Sequence, residues 1–344
     1  MRSPGFGRRR LLPLLAAGSL AAVVSLAGCA DSGEGSTRAD SDSPGLRVGV
    51  APNVVLDGAT SGLRTDKELA AEAGSVSFAE LRGPDEIRTQ LTSGSVDLLT
   101  LPSNIAANLH TRGVDVRILG VVDGPSDVLL GPEKAGVSWS ALRGATVHVP
   151  FKGDVNDVVF RQLAARNGLK AGEDFDITYH PTLPDLLTAV GSGKAEYALL
   201  PEHQASLAAS AAARSGAPKR QVLELGEQWR DTTSQTGYPT YAIGVRGAFA
   251  DDHPKLLEKI NQALTASARN ASAAPDRVAP QVAERTGAPR ALVAQLLTRL
   301  SPGYRTADTA RTELAALFDE LADTSPDLIG GKAPDASVYA TANA

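Results

Sequence analysis

The sequence predicts an α/β protein with two similar lobes, because it contains an internal repeat and alternating strand and helix patterns. Residues 93–109 and 192–207 repeat, 99 positions apart, the order Ser-Gly, acid, apolar run, Pro, polar pair and Ala-rich helix. A Pro-Asp pair precedes each copy, at Pro84 and at Pro184. A duplicated unit of helix, turn, buried strand and helix is typical of paired αβ lobes. The alternative is that both segments are generic αβ units without a common design.

The N-terminal segment has the pattern of an export signal. Three arginines at positions 8–10 precede an apolar run over residues 11–26, which ends in Leu26-Ala27-Gly28-Cys29. Pro13 and Gly18 interrupt the run, which is too short for a comfortable membrane span. Leu-Ala-Gly-Cys resembles the bacterial lipobox, in which the Cys is lipid-modified and becomes the first mature residue. We therefore expect a lipoprotein signal peptide over residues 1–28 and lipidation of Cys29; the alternative is an ordinary secreted protein.

The composition narrows the class of protein further. Without residues 1–28 the chain carries 30 basic and 39 acidic residues. This acidic balance opposes general nucleic-acid binding, which needs a basic surface. Cys29 is the single cysteine, so no disulfide can form within the chain. Residues 29–45 are rich in Ser, Asp and Gly and are expected to form a flexible tether, and the remaining length suits two domains.

The first lobe is predicted over residues 46–130, where strand and helix patterns alternate. Such alternation indicates a mainly parallel sheet. Strands are expected at 46–50, 75–81, 96–101 and 114–122, and helices at 63–74, 85–93 and 103–112, with a loop after the first strand. Residues 127–130 are expected to begin the crossing to the second lobe.

The rest of the chain is predicted to form the second lobe and then to return to the first. In the second lobe, residues 131–236, strands are expected at 145–149, 175–179, 195–200 and 221–225, and helices at 154–167, 183–190 and 202–214. Residues 237–344 supply a return strand at 241–246 and helices at 255–270, 277–286, 290–300 and 309–321. Apolar residues recur in these helices at three- and four-residue steps, so they should wrap lobe one. Residues 326–344 are expected to be a loose end.

Polar residues at the ends of two predicted strands are the candidate ligand-binding residues of the first lobe. Pro52 and Asn53 follow the first strand, and Ser103 and Asn104 follow Pro102 at the end of the third. Ligands bind at the carboxyl ends of strands in open sheets, because free backbone N–H groups of the following helix point into the crevice. A hydroxyl and an amide can bind a carbonyl, sulfonate or nitrate group. Ser103 can equally be a helix N-cap.

Three candidate residues of the second lobe lie together at the start of a predicted helix. They are Gly153, Asp154 and Asn156. In one interpretation Asp154 and Asp157 form a capping pair, because Asp favours the positive end of a helix by roughly 0.3–1 kcal/mol. In the other, Asp154 accepts a hydrogen bond from an amino or ring N–H of the ligand, with Asn156 beside it.

Glu202 and Tyr238 complete the candidate site. Glu202 occupies the position that corresponds to Ser103 in the repeat, and either lines the cleft or acts as a favourable first-turn acid. Tyr238 lies in the predicted return crossing. It either stacks on a planar ligand or packs in the hinge between the lobes.

Several segments, taken in order, resemble a family of solute-binding proteins. They are Leu-Arg-Val-Gly-Val at 46–50, the Ser-Gly-x-x-Asp strand that ends in Pro at 93–102, Leu-Arg-Gly-Ala-Thr-Val-His-Val-Pro at 142–150, Asn-Gly-Leu at 167–169 and Ser-Gly-Lys-Ala-Glu-Tyr-Ala-Leu-Leu-Pro-Glu at 192–202. Over residues 46–249 the chain is similar to the nitrate/sulfonate/taurine and thiamine-precursor branch of the solute-binding proteins of ABC importers. The resemblance implies a type II periplasmic-binding-protein fold, with two crossings that form a hinge and a helical C-terminal region.

The resemblance also implies a function, partners and a location. A small polar or planar solute, similar to sulfonate, nitrate, taurine or a pyrimidine, would bind between the lobes of a lipid-anchored, extracytoplasmic monomer. The protein would deliver the solute to the transmembrane subunits of the permease, and no nucleic acid, cofactor or metal is expected to bind. Two positions depart from the family: His203 stands where relatives often have Pro, and Lys152-Gly153-Asp154 replaces a Gly-Ser or Gly-Thr that often touches anions. A carboxylate at that position opposes a sulfonate or nitrate.

The sequence shows no pattern typical of catalysis. Its five histidines lie on separate predicted elements, and it contains neither a His-Glu-x-x-His pair, nor a Gly-x-Ser-x-Gly elbow, nor a Walker-type phosphate loop. We therefore expect a binding protein without catalytic residues. One alternative is an extracytoplasmic ligand sensor of the same fold. Another is an enzyme that resembles chorismate dehydratase or a pyrimidine-precursor synthase, although the synthase uses a cysteine-rich motif that is absent here.

Overall fold

The computed structural model describes residues 44–81, 84–124, 127–233, 235 and 237–340. The expected signal peptide, Cys29 and nearly all of the expected tether lie outside the described residues. Within these ranges, no helix combines the length and the apolar character that crossing a membrane requires.

Eleven strands in the described part of the chain form two separate sheets. They are β1 (Leu46–Val50), β2 (Val76–Glu80), β3 (Leu98–Pro102), β4 (Val116–Asp123), β5 (Asp127–Pro132), β6 (Thr146–Pro150), β7 (Asp176–His180), β8 (Tyr197–Pro201), β9 (Lys219–Glu224), β10 (Tyr241–Arg246) and β11 (Gly303–Thr306). The first sheet has the order β11-β4-β10-β3-β1-β2, and the second has the order β7-β6-β8-β5-β9.

The same ranges contain thirteen α-helices that cover the two sheets. They are α1 (Val54–Thr60), α2 (Lys67–Ala73), α3 (Pro84–Thr92), α4 (Ser103–Thr111), α5 (Val155–Arg166), α6 (Leu183–Gly191), α7 (Glu202–Arg214), α8 (Leu225–Thr232), α9 (Gly247–Asp252), α10 (Pro254–Ala273), α11 (Pro275–Thr286), α12 (Arg290–Leu300) and α13 (Ala307–Thr324). We call the first sheet with α1–α4 and α9–α13 lobe 1, and the second sheet with α5–α8 lobe 2.

Both sheets are mixed, so the expectation of a mainly parallel sheet is wrong. In lobe 1, β1 pairs with β2 and β3 in parallel, whereas β10 lies antiparallel between β3 and β4. In lobe 2, β6 pairs with β7 and β8 in parallel, and β5 is antiparallel to β8. The reason is topological. β5 and β10 are the strands by which the chain enters each sheet from the other lobe. They start at the edge where the parallel strands end and therefore run in the opposite direction.

The predicted fold class is confirmed. The chain leaves lobe 1 after β4, builds lobe 2 from β5 to α8, and returns to lobe 1 at β10. These two crossings join the αβ lobes, and a helical region follows the return strand, as predicted. The repeated segments correspond to β3 with α4 in lobe 1 and to β8 with α7 in lobe 2.

The C-terminal helices wrap lobe 1 because their apolar residues lie on one face. Leu256, Leu257, Ile260 and Leu264 of α10 are all buried in the core that covers β1 and β10. Burying one such side chain stabilises a fold by roughly 1.5–3 kcal/mol. The three- and four-residue spacing in the sequence therefore predicted the face correctly.

The last long helix, α13, packs against both lobes. Its Phe318 belongs to the same buried cluster as Phe160 of α5 in lobe 2. Polar contacts follow the same path: Arg166 of α5 pairs with Glu320 at 3.1 Å. The two lobes thus share an apolar core along α13.

Two regions differ from the expected elements. The loop expected after the first strand is instead the helix α1, because the Asn53 side chain caps it and all seven of its residues are buried. The short elements α8, α9 and β11 were also not predicted, since four to eight residues carry too little periodicity for detection.

The C-terminal tail is not a loose end over its described residues. Two 3₁₀ turns, Pro326–Ile329 and Ala336–Val338, bury Ile329 and Val338 against lobe 1. The backbone N–H of Ala340 donates to the carbonyl oxygen of Ile118 at 2.8 Å. Single apolar residues separated by polar ones anchor the tail, and such spacing gives no periodic pattern in the sequence.

Candidate ligand-binding site between the lobes

The two Pro-ended strands lie beside the strands by which the chain enters each sheet. Pro102 pairs in register with Tyr241, the first residue of β10, and Pro201 pairs with Asp127, the first residue of β5. The backbone N–H of Ser103 also donates to the carbonyl oxygen of the residue before Tyr241, at 2.9 Å. Both crossings therefore start or end at the carboxyl edges of the parallel strands, and they hold these edges together.

Interactions across the lobes show that these edges face one another. The Nδ2 atom of Asn53 in lobe 1 lies 3.5 Å from Nε2 of His203 in α7 of lobe 2. Burial raises the pKa of the Tyr241 phenol in lobe 1, and the charges of Asp127 and Asp154 in lobe 2 raise it further. Polar groups from both lobes thus meet in a shared gap.

An opening with a volume of about 560 Å³ lies beside this meeting point. Residues of both crossings line it, among them Gly124, Pro239 and Tyr241. Of the predicted site residues, Glu202 and Tyr238 line the opening, whereas the other seven do not. Only part of the predicted set therefore lines this opening, and Asn53 lies at the contact between the lobes.

The side chains of Ser103 and Asn104 are enclosed and make no hydrogen bond to any described residue. Pro102, not Ser103, is the N-cap of α4, so the N-cap alternative for Ser103 is wrong. Ser103 is fully buried, and its Oγ has no hydrogen-bond partner among the described residues. Asn104 is 3% exposed, and its side chain makes no hydrogen bond within the same ranges. Leaving a buried polar group unpaired costs about 1–3 kcal/mol, and a ligand that pairs with it removes this cost.

Asp154 caps α5, as one of its two interpretations predicted. Its Oδ1 accepts the backbone N–H groups of Asn156 at 3.1 Å and Asp157 at 3.0 Å. Asp157 returns the bond, because its Oδ2 accepts the backbone N–H of Gly153 at 2.8 Å. This reciprocal capping requires the left-handed backbone of Gly153, φ 79°, a conformation that glycine adopts without strain. It also occupies the Gly153 N–H, which is therefore not offered to a ligand.

The cap uses only one oxygen of Asp154. Its Oδ2 makes no hydrogen bond to any described residue. Burial raises the pKa of the Asp154 carboxyl to about 7. The charge of Asp157 also raises this pKa, whereas the two backbone hydrogen bonds lower it. Because the side chain is half-buried rather than sealed, Oδ2 is free to meet a ligand in the cleft.

Asn156 contributes a second acceptor at the same helix start. Its Oδ1 is buried and has no partner among the residues that the structure describes. Together with Asp154 Oδ2, it gives the first turn of α5 two unused acceptor atoms. The N-terminal turn of a helix normally presents donors, so this turn differs from an anion site.

Two residues that the sequence interpretation did not select belong to the same polar group. Asp127 is 5% exposed, and burial raises the pKa of its carboxyl well above the usual range, with the charges of Asp154 and Glu224 adding to the rise. Tyr241 faces both carboxyls, as described above. An acid that opens an otherwise apolar strand, as in Asp-Val-Leu-Leu, was the available signal for Asp127.

Phe151 is a third residue that the sequence interpretation missed. It precedes the cap of α5, has a left-handed backbone with φ 51°, and leaves 47% of its surface exposed. A bulky residue in this conformation is uncommon and strained, and such strain concentrates at functional sites. The turn thus presents an accessible aromatic ring beside the Asp154 cap.

Pro52 and Asn53 occupy the edge of the gap in lobe 1. Asn53 is the N-cap of α1, where its Oδ1 accepts the backbone N–H groups of Val55 and Leu56. Only its Nδ2 is directed to lobe 2, at the 3.5 Å contact with His203. Burial lowers the pKa of the His203 imidazole to about 4, so the ring is neutral at pH 7. Pro52 is exposed.

Glu202 links the lobes by an ion pair. Its Oε1 lies 2.8 Å from Nε of Arg299 at the end of α12 in lobe 1. Arg299 also donates to Oγ of Ser206, one helical turn further along α7, at 2.7 Å. Burial raises the pKa of the Glu202 carboxyl, and the charge of Arg299 opposes this rise. Glu202 therefore lines the opening and fastens the lobes at its rim.

Tyr238 packs in the return crossing. Its ring lies 5.4 Å from the ring of Trp229 in α8, centroid to centroid, with a tilt of 56°. It is 7% exposed and still lines the opening. This position supports the interpretation of a packed hinge residue, and the remaining edge of the ring borders the gap.

The described residues contain no cluster of three or more His, Cys, Asp or Glu side chains that is placed to hold a metal ion. The polar groups between the lobes are amides, hydroxyls and separate carboxyls. Their arrangement is suited to hydrogen bonding with a small solute.

Comparisons with known proteins identify the fold. No family model matches the chain, and no curated protein sequence does. Among solved structures, an ABC transporter protein from Parabacteroides distasonis superposes with a TM-score of 0.71 at 19% identity, over 86% of this chain and 98% of the other. The periplasmic aliphatic sulphonate binding protein SsuA of Escherichia coli gives 0.66 at 18% identity, over 86% and 93%. The periplasmic nitrate-binding protein NrtA of Synechocystis gives 0.63 at 15%, over 84% of both chains. The chain thus has the fold of periplasmic binding proteins of this type.

Proposed function

We propose that this chain is the solute-binding component of an ABC importer, held outside the cytoplasmic membrane by a lipid on Cys29. It would bind a small polar or planar solute between its lobes as a monomer and deliver it to the transmembrane subunits of a permease. The fold that it shares with sulphonate- and nitrate-binding proteins supports this role. The sequence supports the anchor, through the apolar run that ends in Leu-Ala-Gly-Cys.

One observation carries the proposal. Segments that follow strand ends in the two lobes meet at the contact between Asn53 and His203. In two further segments at strand ends, the buried atoms Ser103 Oγ and Asn156 Oδ1 have no hydrogen-bond partner among the described residues. Native proteins satisfy nearly all such atoms, so these atoms indicate a site that a ligand completes. Lobe closure around the solute follows if the solute makes its full set of contacts only in the closed state.

The central test is a double substitution, Ser103→Ala with Asn104→Ala. A thermal-shift screen of sulfonates, nitrate, pyrimidines, amines and flavin-like rings first identifies a binder, since any ligand of the native state raises its stability. We expect the double variant to bind that compound at least tenfold more weakly, which corresponds to about 1.4 kcal/mol. Its melting temperature without ligand should not fall below that of the parent, because neither side chain makes a hydrogen bond to be lost and the buried Ser103 hydroxyl is unpaired among the described residues.

A matched control is Ser215→Ala with Asn108→Ala, at two positions outside the opening. Ser215 donates to the carbonyl oxygen of Gly191, and Asn108 donates to the carbonyl oxygen of Asp327. Ligand affinity should be almost unchanged in this control. An unaltered affinity in the Ser103/Asn104 variant would remove both residues from the site. Failure of every compound to stabilise the parent protein would contradict the binding role itself.

The membrane anchor has its own test. Replacing Cys29 with Ala should release the protein from membranes into the soluble extracytoplasmic fraction, because the only thiol that can be lipidated is lost. Cell fractionation followed by immunoblotting measures this release. Retention of Cys29→Ala in the membrane fraction would count against lipidation.

A further inference from the structure

The start of α5 presents two unused acceptors. The ionised Asp154 Oδ2 and Asn156 Oδ1 accept hydrogen bonds, the Ser103 hydroxyl can accept as well as donate, and the amide of Asn104 offers both a donor and an acceptor. A solute that satisfies the two acceptors at α5 has to bring N–H or O–H donors. A nitrate or a sulfonate brings acceptors only.

The charges around the opening have the same bias. Five acidic and three basic side chains line it. Each basic side chain already has an acidic partner: Arg299 with Glu202 at 2.8 Å, Arg230 with Glu224 at 3.8 Å, and Arg305 with Asp123 at 2.8 Å. None of these cations is left to compensate an incoming anion.

The enclosed part of the gap is also acidic. Asp127 and Asp154 come from different strand ends of lobe 2, yet the charge of Asp154 raises the pKa of Asp127 beyond the rise that burial causes. The titratable groups that interact with Asp154 are Asp157 on α5, Asp127 on β5, Tyr179 on β7 and Tyr241 on β10. None of these groups is basic, and those that are ionised would repel a bound anion. The basic residues of the same segment are Arg161, which pairs with Asp157 at 3.1 Å, and Lys152, whose Nζ lies 5.5 Å from the ring centroid of Tyr179.

We propose that the solute is an organic cation, with an ammonium, guanidinium or amidinium group placed against Asp154 and Asn156, rather than a sulfonate or nitrate. This inference rests on the proposed function and specifies its solute. A cation supplies the N–H donors and the positive charge that the gap lacks. The exposed ring of Phe151, in the same turn as the Asp154 cap, adds an aromatic surface of the kind that attracts organic cations.

The first experiment compares matched probes by isothermal titration calorimetry and thermal shift. The cationic probes are putrescine, agmatine and benzamidine; the uncharged probe is benzamide, the neutral analogue of benzamidine; the anionic probes are nitrate and ethanesulfonate. We expect at least one cation to bind and every anion to bind at least tenfold more weakly, and we expect benzamidine to bind more tightly than benzamide. Tighter binding of an anion in the gap would overturn the inference and leave the proposed function intact. A failure of every compound, in this set and in the broader screen, would contradict the proposed function.

The second experiment uses Asp154→Asn with the cation that binds. Asn is as good an N-cap as Asp, so α5 keeps its cap and the variant should fold. We expect its affinity for the cation to fall at least tenfold. The control is Asp66→Asn, at the N-cap of α2, where Oδ1 accepts the backbone N–H of Leu69 at 2.9 Å; its affinity should equal that of the parent.

The pH dependence separates a direct role of Asp154 from a structural one. The pKa of the carboxyl is about 7, so the parent protein should bind the cation more tightly as pH rises from 6 to 8. At pH 6, cation binding should release a proton, detected as a difference in heat between buffers of different ionisation enthalpy. The Asp154→Asn variant should show neither effect. Equal proton release by parent and variant, or an affinity that Asp154→Asn leaves unchanged, would overturn the assignment.

Discussion

Asp154 illustrates how a single side chain serves structure and site together. One carboxyl oxygen caps the N-terminus of α5, and the other has no partner among the described residues. The sequence interpretation treated capping and ligand binding as alternatives, but a carboxylate has two oxygens and can do both. Burial is the main cause of the raised pKa of this carboxyl, and the two backbone hydrogen bonds to the first oxygen only partly oppose the rise.

Asp97 provides the contrasting case of a buried carboxylate that is fully paired. It lies at the opposite edge of the first sheet, 1% exposed, and binds Nε of Arg47 at 2.8 Å and Nη2 of Arg246 at 2.8 Å. Burial alone would raise the pKa of Asp97, but the hydrogen bonds from both arginines outweigh it and the pKa is lowered. Paired carboxylates of this kind hold strands together, whereas unpaired ones indicate a site.

A residue-scale prediction follows for Asp97→Asn. The folded protein holds the pKa below its value in the unfolded chain, so this stabilisation is present above about pH 4 and is lost as pH falls through the folded pKa. At pH 7 we expect the variant to lose about 1–3 kcal/mol of unfolding free energy, since both arginines retain some access to water. Urea denaturation at pH 7 and pH 3 should show a smaller difference at pH 3.

The matched control for Asp97 is Asp251→Asn. Asp251 makes a similar two-point pair with Arg117, at 2.6 and 2.7 Å, but is 60% exposed. Exposed pairs contribute little to stability, so this variant should unfold almost like the parent. A loss as large as that of Asp97→Asn would contradict the importance of burial.

Among the elements, the C-terminal tail shows most clearly how isolated contacts order a segment. Its 3₁₀ turn Pro326–Ile329 packs on α4, and Asn108 of that helix donates to the carbonyl oxygen of Asp327 at 2.8 Å. Gly330 then reverses the chain with φ 82°, close to Thr111. The tail thus covers the end of the helix that begins at Ser103.

The element-scale prediction concerns this tail. Ile329→Ala should destabilise the protein by about 2–4 kcal/mol, because it leaves a cavity at a fully buried position. Chemical denaturation measures the loss. Lys332→Ala, at an exposed position three residues later, should change stability very little. Equal effects of the two substitutions would show that the tail is not packed as described.

At the scale of the whole molecule, two kinds of contact join the lobes. Along α13 the lobes share an apolar core, whereas at the rim of the opening they meet through Arg299 and Glu202. An apolar core resists separation, and an ion pair at a partly exposed site is weak. Opening by a hinge is therefore expected to begin at the rim and to leave the α13 side in place.

The whole-molecule prediction tests this difference with Arg299→Ala. Losing the pair should favour open conformations by about 0.5–1 kcal/mol, a two- to fivefold change in population. Small-angle X-ray scattering of the ligand-free protein should detect a larger radius of gyration. The control is Arg290→Ala, at the start of the same helix, where the side chain donates to the carbonyl oxygen of Asp276 within lobe 1. A radius that stays unchanged in Arg299→Ala would contradict a role for this pair in closure.

The sequence by itself determined the two-lobe α/β fold and most helix and strand positions. Local rules are sufficient for this part: Pro102 and Pro201 end buried strands, the apolar spacing in α10 defines its inner face, and the repeat shows that the lobes are alike. It also identified the cap at Asp154, because capping depends on neighbours within three residues.

Only the tertiary structure decided which of these polar residues meet. The two crossings bring distant strand ends together, and three features of the site depend on them. The Ser103 hydroxyl has no partner among the described residues and does not cap a helix. Glu202 pairs with Arg299, and Asp127 and Tyr241 are neighbours of Asp154. The electrostatic character of the gap is likewise a sum over residues far apart in sequence. Coulomb interactions depend on distance and burial, and neither can be read from residue order.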